Sequence, residues 1–271
     1  MRGSLKALTL AMLAAVMAPA GAAEDAVPNH PALNDRFYLA IGAFWPKTTT
    51  TAQLDSTRTG IGTNIDLENA LGISRDDTIP GFIARWRITN RWRVEAQYYA
   101  VEREAVRSID REIRFGDRVF PINASIDTRF DFADLRVSVG YALFRTVDKE
   151  LGVGLGLHTA KYDLGLSAPL VGSQTGDVTA PLPAVSVYGQ FALTERWAAA
   201  VRLDRFSLSY DKYDGSLTAL SIDLMYQPFR HVGFGLAERS LYLSLTKTDA
   251  NRALRFQQAL EGPMFFVNVS F

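Results

Sequence analysis

Ten segments in which apolar and polar residues alternate, connections that are by turns short and long, and an alternating apolar stretch reaching the carboxyl terminus predict an all-β fold. The class they define is an antiparallel up-and-down barrel that spans a membrane, with ten strands and with eight or twelve as the neighbouring counts.

Composition narrows the alternatives. The 271 residues suit one large domain or two small ones, and 48% hydrophobic with 21% charged residues excludes a disordered chain. The 29 basic residues cancel the 29 acidic ones, so charge gives no support to nucleic-acid binding. The absence of cysteine excludes disulfides, thiolate zinc sites, a catalytic cysteine and a lipid-bearing cysteine.

The chain opens with Arg2 and Lys6, an apolar run from Ala7 to Val16, and the small residues APAGAA before Glu24 and Asp25. A run this short cannot cross a bilayer as a helix, which needs about twenty residues, so 1–23 reads as a signal peptide cleaved after Ala22 or Ala23. Residues 24–35 then form a periplasmic N-terminal segment and 36–271 the barrel. No later apolar run is long enough for a transmembrane helix.

The strand segments lie near 36–46, 78–88, 92–104, 127–144, 150–164, 183–193, 197–210, 216–227, 232–246 and 263–271. In the fourth, Leu135, Val137, Val139, Tyr141 and Leu143 alternate with Arg136, Ser138, Gly140 and Ala142. A soluble sandwich alternates too, so the connections decide. Short ones fall at 89–91, 145–149, 194–196 and 228–231, and long ones at 47–77, 105–126, 165–182 and 247–262; only 211–215 is short on the long side. Short periplasmic turns with longer external loops are the outer-membrane arrangement, and an even strand count puts both termini in the periplasm.

Trp86, Trp92 and Trp197 fall beside the proposed periplasmic turns and Trp45 at the outer end of the first strand, where amphipathic rings anchor a barrel at the membrane interfaces. The strings ITNRWRVEAQ and LTERWAAAVR repeat a turn and a tryptophan at the starts of strands three and seven. Shared turn chemistry and an old duplication both explain them.

Phe265, Val267, Val269 and the final Phe271 alternate to the end of the chain. This resembles the closing-strand signature of the bacterial outer-membrane barrel superfamily, which implies that assembly machinery reads Phe271. The stretches RFGDRVFP, ELGVGLGLH, TAPLP, LSYDKYDG and QPFRHVGFG, followed by that closing strand, are similar to a group of proteobacterial outer-membrane barrels over most of the mature chain. The resemblance implies long surface loops and no established activity, and it carries no catalytic residue across.

If the apolar parity faces lipid, the other lines the lumen. That set holds Arg85, Arg87, Arg93, Arg136 and Arg202 against Glu95, Asp134, Asp204 and Asp223, with Gln97, Tyr99, Ser138, Ser186, Tyr188, Gln190, Ser221 and Gln227 between them. Near balance of charge predicts cross-lumen pairing and a narrow or plugged barrel. Inward glycines at 140, 152, 154, 156, 233 and 235 leave room for long neighbours. Strand nine breaks the scheme: Leu236 has even parity but Leu241, Leu243 and Leu245 odd, which calls for a bulge between 237 and 239.

Chemistry is sparse. Among three histidines, His30 lies in the N-terminal segment and His231 in a short turn, leaving His158 as the one candidate general base, with Asp223 or Ser221 as possible partners. The His-x-Ser pattern of lipid A deacylases is missing, because position 160 is alanine. Asp55, Asn64, Asp66, Glu68, Asn69, Asp76 and Asp77 crowd the first external loop without the spacing of a calcium loop, and TGIGTN lacks the lysine of a phosphate loop, so no metal or cofactor is expected. The second loop carries Glu102, Arg103, Glu104, Arg107, Asp110, Arg111, Glu112, Arg114, Asp117 and Arg118, and reads as a hairpin or a short helix.

The sequence therefore specifies a monomeric integral barrel of the outer membrane with a structural or surface-interaction role. Its partners are membrane lipid, lipopolysaccharide and the assembly machinery. A small passive pore is the first alternative, and a lipid-modifying enzyme using His158 the second.

Overall fold

The computed structural model describes residues 27–271 apart from Asp211, Ala250 and Asn251; the signal-peptide assignment over 1–23 lies outside the described residues. Helix α1 (Pro31–Asn34) precedes β1 (Phe37–Phe44), β2 (Lys47–Leu54), β3 (Ile65–Asp66), helix α2 (Leu67–Leu71), β4 (Ile79–Arg87) and β5 (Trp92–Ser108). There follow β6 (Ile113–Phe115), β7 (Arg118–Phe120), β8 (Ser125–Arg145), β9 (Lys149–Ala168) and β10 (Gly172–Ala192). The chain ends with β11 (Trp197–Tyr210), β12 (Tyr213–Tyr226), β13 (Val232–Asp249) and β14 (Arg252–Ser270).

Ten antiparallel strands make the wall, in the order β1-β4-β5-β8-β9-β10-β11-β12-β13-β14. Strand β14 closes it against β1, from Tyr38↔Ser270 to Phe44↔Met264. Closure pairs the strands all the way round the apolar belt, which is what lets a sheet stand in lipid. At Trp45 and Pro46 the chain bends and β2 takes over the pairing with β14, from Lys47↔Glu261 to Leu54↔Leu254. Gly262 permits the bend, since a Cβ there would lie 2.3 Å from the Trp45 carbonyl oxygen.

Strand β8 shows how sequence becomes architecture. Its 21 residues are about twice what a tilted transmembrane strand requires. In the inner half, Leu135, Val137 and Val139 point outward and are more than 40% exposed, while Arg136 and Ser138 are buried in the lumen. In the outer half the chemistry inverts: Asp127 and Arg129 stand outside, while Ile126, Phe130 and Phe132 are buried inside. The inversion marks the upper limit of the lipid-facing belt. Below it the barrel is greasy outside and polar inside, and above it the wall folds like a soluble protein around an apolar core.

That inversion corrects three expectations. The stretches 165–182 and 247–262 are not long loops: β9 meets β10 through residues 169–171, and β13 and β14 stay paired out to Asp249↔Arg252. The outward apolar parity ends there, but the strands continue. The bulge expected in strand nine is absent too, because β13 pairs in unbroken register with both neighbours. Leu236 faces out, and Leu241, Leu243 and Leu245 belong to the buried outer core. The register shift in the wall lies instead between Ala142 and Phe144 of β8.

The second loop is a hairpin and not a helix. Strands β5 and β8 pair up to Ser108↔Ser125, and β6 and β7 then fold back as a small two-stranded sheet. Ile109, Ile113, Phe115 and Phe120 are fully buried, so the hairpin lies over the outer mouth with its apolar face down. The Gly116 N–H donates to the Leu54 carbonyl at 2.9 Å and the Thr63 N–H to the Arg114 carbonyl at 2.8 Å, tying the hairpin to the first loop.

Candidate functional site

The lumen is where the sequence buries charge, and its floor is the N-terminal segment. Residues 31–34 do not lie outside the barrel: α1 enters the inner mouth, with Ala32 and Leu33 buried. Arg85 donates to the Ala32 carbonyl, and Arg87 to the Leu33 carbonyl at 2.9 Å. The Arg145 guanidinium holds Asn34 Oδ1 at 3.0 Å, and Asn34 Nδ2 donates to the Val147 carbonyl at 2.7 Å. His30 caps the helix, its Nδ1 accepting the Ala32 N–H at 3.2 Å while Nε2 donates to the Arg196 carbonyl at 3.2 Å. These two bonds require the neutral ring protonated at Nε2. Burial pushes the His30 pKa down, with the Arg196 carbonyl opposing the shift.

Above the plug, charged side chains fill the interior in layers. Glu150 accepts from Arg87 at 2.7 Å and Arg145 at 3.2 Å, and lies 3.5 Å from Arg93. Glu95 bridges Arg136 at 2.8 Å and Arg202 at 3.5 Å, and Asp204 bridges Arg136 at 3.0 Å and Arg202 at 2.9 Å. Ser186 Oγ donates to Asp204 at 2.6 Å, and Arg239 holds Asp223 at 2.6 Å. The Arg93 guanidinium stacks 3.4 Å over the Tyr188 ring, which fills the space left by Gly152, where a Cβ would meet that ring at 2.3 Å.

His158 lies at the top of this network, with Nδ1 3.0 Å from the Asp134 carboxylate. Its partner is thus Asp134 on the neighbouring strand, rather than Asp223 or Ser221. Both side chains are buried, and His158 Nε2 has no protein partner. Two cavities of about 40 and 60 Å³ border Gln97, Arg136 and Arg239; His158 lines the first, and each has room for a few waters. The dyad lies inside the barrel, and no serine, threonine or cysteine forms a hydrogen bond with its ring among the described residues.

Above His158 the interior turns apolar. The Tyr162 and Phe256 rings stack at 4.9 Å between centroids, Phe132 packs on Tyr162 at 4.8 Å, and the Tyr162 hydroxyl donates to Gln258 Oε1 at 3.0 Å. The acidic residues of the first loop serve the structure here. Asp66 caps α2 by accepting the Asn69 N–H at 2.9 Å, and Glu68 accepts the Thr50 N–H at 2.8 Å and an Arg103 bond at 3.1 Å. Asp117 accepts from Ser56 at 2.8 Å and from the Thr57 hydroxyl at 2.7 Å, which fastens the hairpin tip. Among the described residues no group of three or more His, Asp or Glu is arranged to hold a metal ion.

Of the nine charged lumen residues read from the sequence, Arg93, Glu95, Arg136, Arg202 and Asp204 form one network, which Arg87 joins through Glu150. Among the described residues Asp134 pairs with His158 and Asp223 with Arg239, and Arg85 serves the plug. Sequence reasoning missed Glu150, Arg239 and α1. Glu150 shares the even parity of Gly152 and was legible from it, whereas Arg239 was hidden by the supposed bulge. The four tryptophans stand exposed on the outer wall, Trp92 against Tyr141 at 4.8 Å and Trp197 against Tyr226 at 4.7 Å. Phe271 packs on Phe37 at 5.6 Å where the barrel closes.

A closed antiparallel barrel with an apolar outer belt and a polar inside is the class this geometry defines. The fold is similar to that of the outer membrane protease OmpT of Escherichia coli: 9% identity, 92% of this chain and 100% of that one, TM-score 0.58. The attachment invasion locus protein Ail of Yersinia pestis matches at 10% identity, over 85% and 97% of the two chains, with a TM-score of 0.33. The toluene transporter TodX of Pseudomonas putida matches at 11% identity, over 90% and 93%, with a TM-score of 0.34. No protein-family model and no curated protein matches the sequence.

Proposed function

We propose that this protein is an integral barrel of the outer membrane whose lumen is sealed, and that it works as a structural or surface-interaction element rather than as a pore. One observation carries the reading. Side chains occupy every level of the interior beside two small cavities at Arg136, from α1 held by Arg85 and Arg87, through the Arg136 network, to the aromatic core beneath the β6–β7 hairpin.

The reading of 1–23 as a signal peptide, the exposed apolar belt and the aromatic residues at its inner rim support this location. The belt would contact membrane lipid, and the charged wall above it the sugars and phosphates of lipopolysaccharide. The closing strand through Phe265, Val267, Val269 and Phe271 would engage the assembly machinery. His158 has a structural role in this reading, as the hydrogen-bonded partner of Asp134.

Conductance of the refolded mature protein in a planar bilayer tests it. Silence is the expected result, both for the native chain and for a variant with Arg136 and Asp223 replaced by alanine. Steady discrete steps in the native protein that change in the variant would overturn the sealed barrel and establish a pore with its constriction at Arg136.

A further inference from the structure

Strand β10 is taller than the neighbour it faces. Its ladder with β11 ends at Val185↔Arg205, yet β10 runs outward to Gly172, paired with β9 throughout. The Ala192 N–H donates toward β9, to the Asp148 carbonyl at 2.6 Å, which fixes the direction of the backbone groups. Even-numbered residues of β10 face β9, and odd-numbered residues face the β11 side. Pro181 and Pro183 are odd, so the β10 edge has no donors where the ladder stops. Strand β11 turns back at Tyr210↔Tyr213, leaving residues 173–179 of β10 beyond it.

Among the described residues, no backbone group pairs with the odd edge of Ser173, Thr175, Asp177 and Thr179. One of its acceptors is occupied, the Thr175 carbonyl taking a bond from Gln174 Nε2 at 3.2 Å. The edge lies well above the last lipid-facing residue, Val185, and carries no lysine or proline between 172 and 180. Such an edge is a template for another strand.

The outward face beside it selects the charge of that strand. Glu102↔Asp131, Asp131↔Asp163 and Asp163↔Asp177 are direct cross-strand pairs, so a row of carboxylates crosses β5, β8 and β9 and ends at the free edge of β10. Arg129 answers Glu102 and Asp131 at 3.8 and 3.3 Å, but among the described residues no cation pairs with Asp163 or Asp177. Like charges directly opposite each other are unfavourable, and a cationic residue beside Asp177 relieves them.

We propose that residues 173–179 of β10 form a docking edge for an extended cationic peptide, which joins the barrel wall as an added strand and places Lys or Arg opposite Asp177. The inference deepens the surface-interaction reading and rests on it. A second copy of this chain does not fit the edge. Two copies in one membrane share an orientation, so a two-fold axis along the membrane normal crosses two strands, each tilted by roughly 35–45°, at too steep an angle for a ladder.

Fluorescence anisotropy of a labelled decapeptide of alternating Lys and Thr, added to the full barrel in lipid nanodiscs at low salt, tests the proposal beside a Glu–Thr peptide. The Lys–Thr peptide should bind at least ~10-fold tighter than its acidic counterpart and weaken as salt rises. A Thr175→Pro, Thr179→Pro variant should lose ~10-fold or more, since it removes edge donors without touching the β9 ladder. Asp177→Asn should weaken binding and flatten its salt dependence.

Binding that survives the prolines but vanishes in Asp163→Asn, Asp177→Asn would overturn strand addition in favour of charge attraction alone. Calcium binding to the row, with no peptide bound, would overturn it in favour of a cation site. No peptide binding by a barrel that stays silent in the bilayer would defeat the docking edge while leaving the sealed barrel standing. Channel steps would defeat the sealed barrel whatever the peptide does.

Discussion

The Arg136 guanidinium lies 2.8 Å from the Glu95 carboxylate, and through its other terminal nitrogen it holds Asp204 at 3.0 Å. One planar cation thus links β5 to β11 across the lumen, a bridge that a point charge cannot make as well. Arg136→Ala leaves both carboxylates buried short of a partner and should cost about 3–5 kcal/mol, read as a lower urea midpoint of the refolded barrel. Arg136→Lys should recover only part of the loss. Native stability in Arg136→Ala would show that the network does not hold the barrel.

His30 makes the plug sensitive to acid. Its folded pKa is lowered by burial, so its contribution is present above the unfolded value of 6.5 and is lost as pH falls through the lower folded value. Protonation at Nδ1 also breaks the bond to the Ala32 N–H. Hydrogen exchange or limited proteolysis of residues 27–36 should therefore accelerate below about pH 6, and His30→Ala should be loose at every pH. An exchange rate that ignores pH in the native chain would refute this account.

The outer half should respond to mutation like a soluble core. Tyr162→Ala removes the ring between Phe132 and Phe256 and should destabilise the barrel by about 3–5 kcal/mol. Leu157→Ala, on the lipid face of the same strand, leaves no cavity within the protein and should cost much less. Equal effects of the two substitutions would argue against an apolar interior above the membrane.

Asp117 fastens the hairpin over the outer mouth through Ser56 and Thr57, and bonds from the Thr57 and Ser56 side chains hold its pKa below the usual carboxylate value. Asp117→Ala should leave the barrel folded but expose the hairpin, seen as faster cleavage by trypsin after Arg118. Unchanged cleavage would mean that the buried Phe115 and Phe120 hold the hairpin without the latch.

Much of the wall could be read from the chain, because alternation is a local property. Leu135 to Leu143 against Arg136 to Ala142 sets parity wherever the strand lies, and the inward glycines and arginines follow from the same count. His158 was legible as an inward residue, but its partner was not: Asp134 meets it only because β8 and β9 pair with Arg136 opposite His158. The outer ends of β9, β10, β13 and β14 misled the reading because a period of two says which residues share a face and not which face is wet. Leu241, Leu243 and Leu245 looked like a slipped register, when the surroundings had changed and the register had not.

The sequence by itself determined the all-β class, the inner turns and the inward set of charges, since each depends on spacing along one strand or on residues beside one turn. Only the tertiary structure decided which residues fill the barrel. The seat of α1 against Arg85 and Arg87, the fold of Ile113 and Phe115 over the outer mouth, and the pairing of Arg136 with both Glu95 and Asp204 join residues far apart in the chain. Such contacts depend on closure, which brings all ten strands around one axis, and no pattern local to a single strand encodes what meets there.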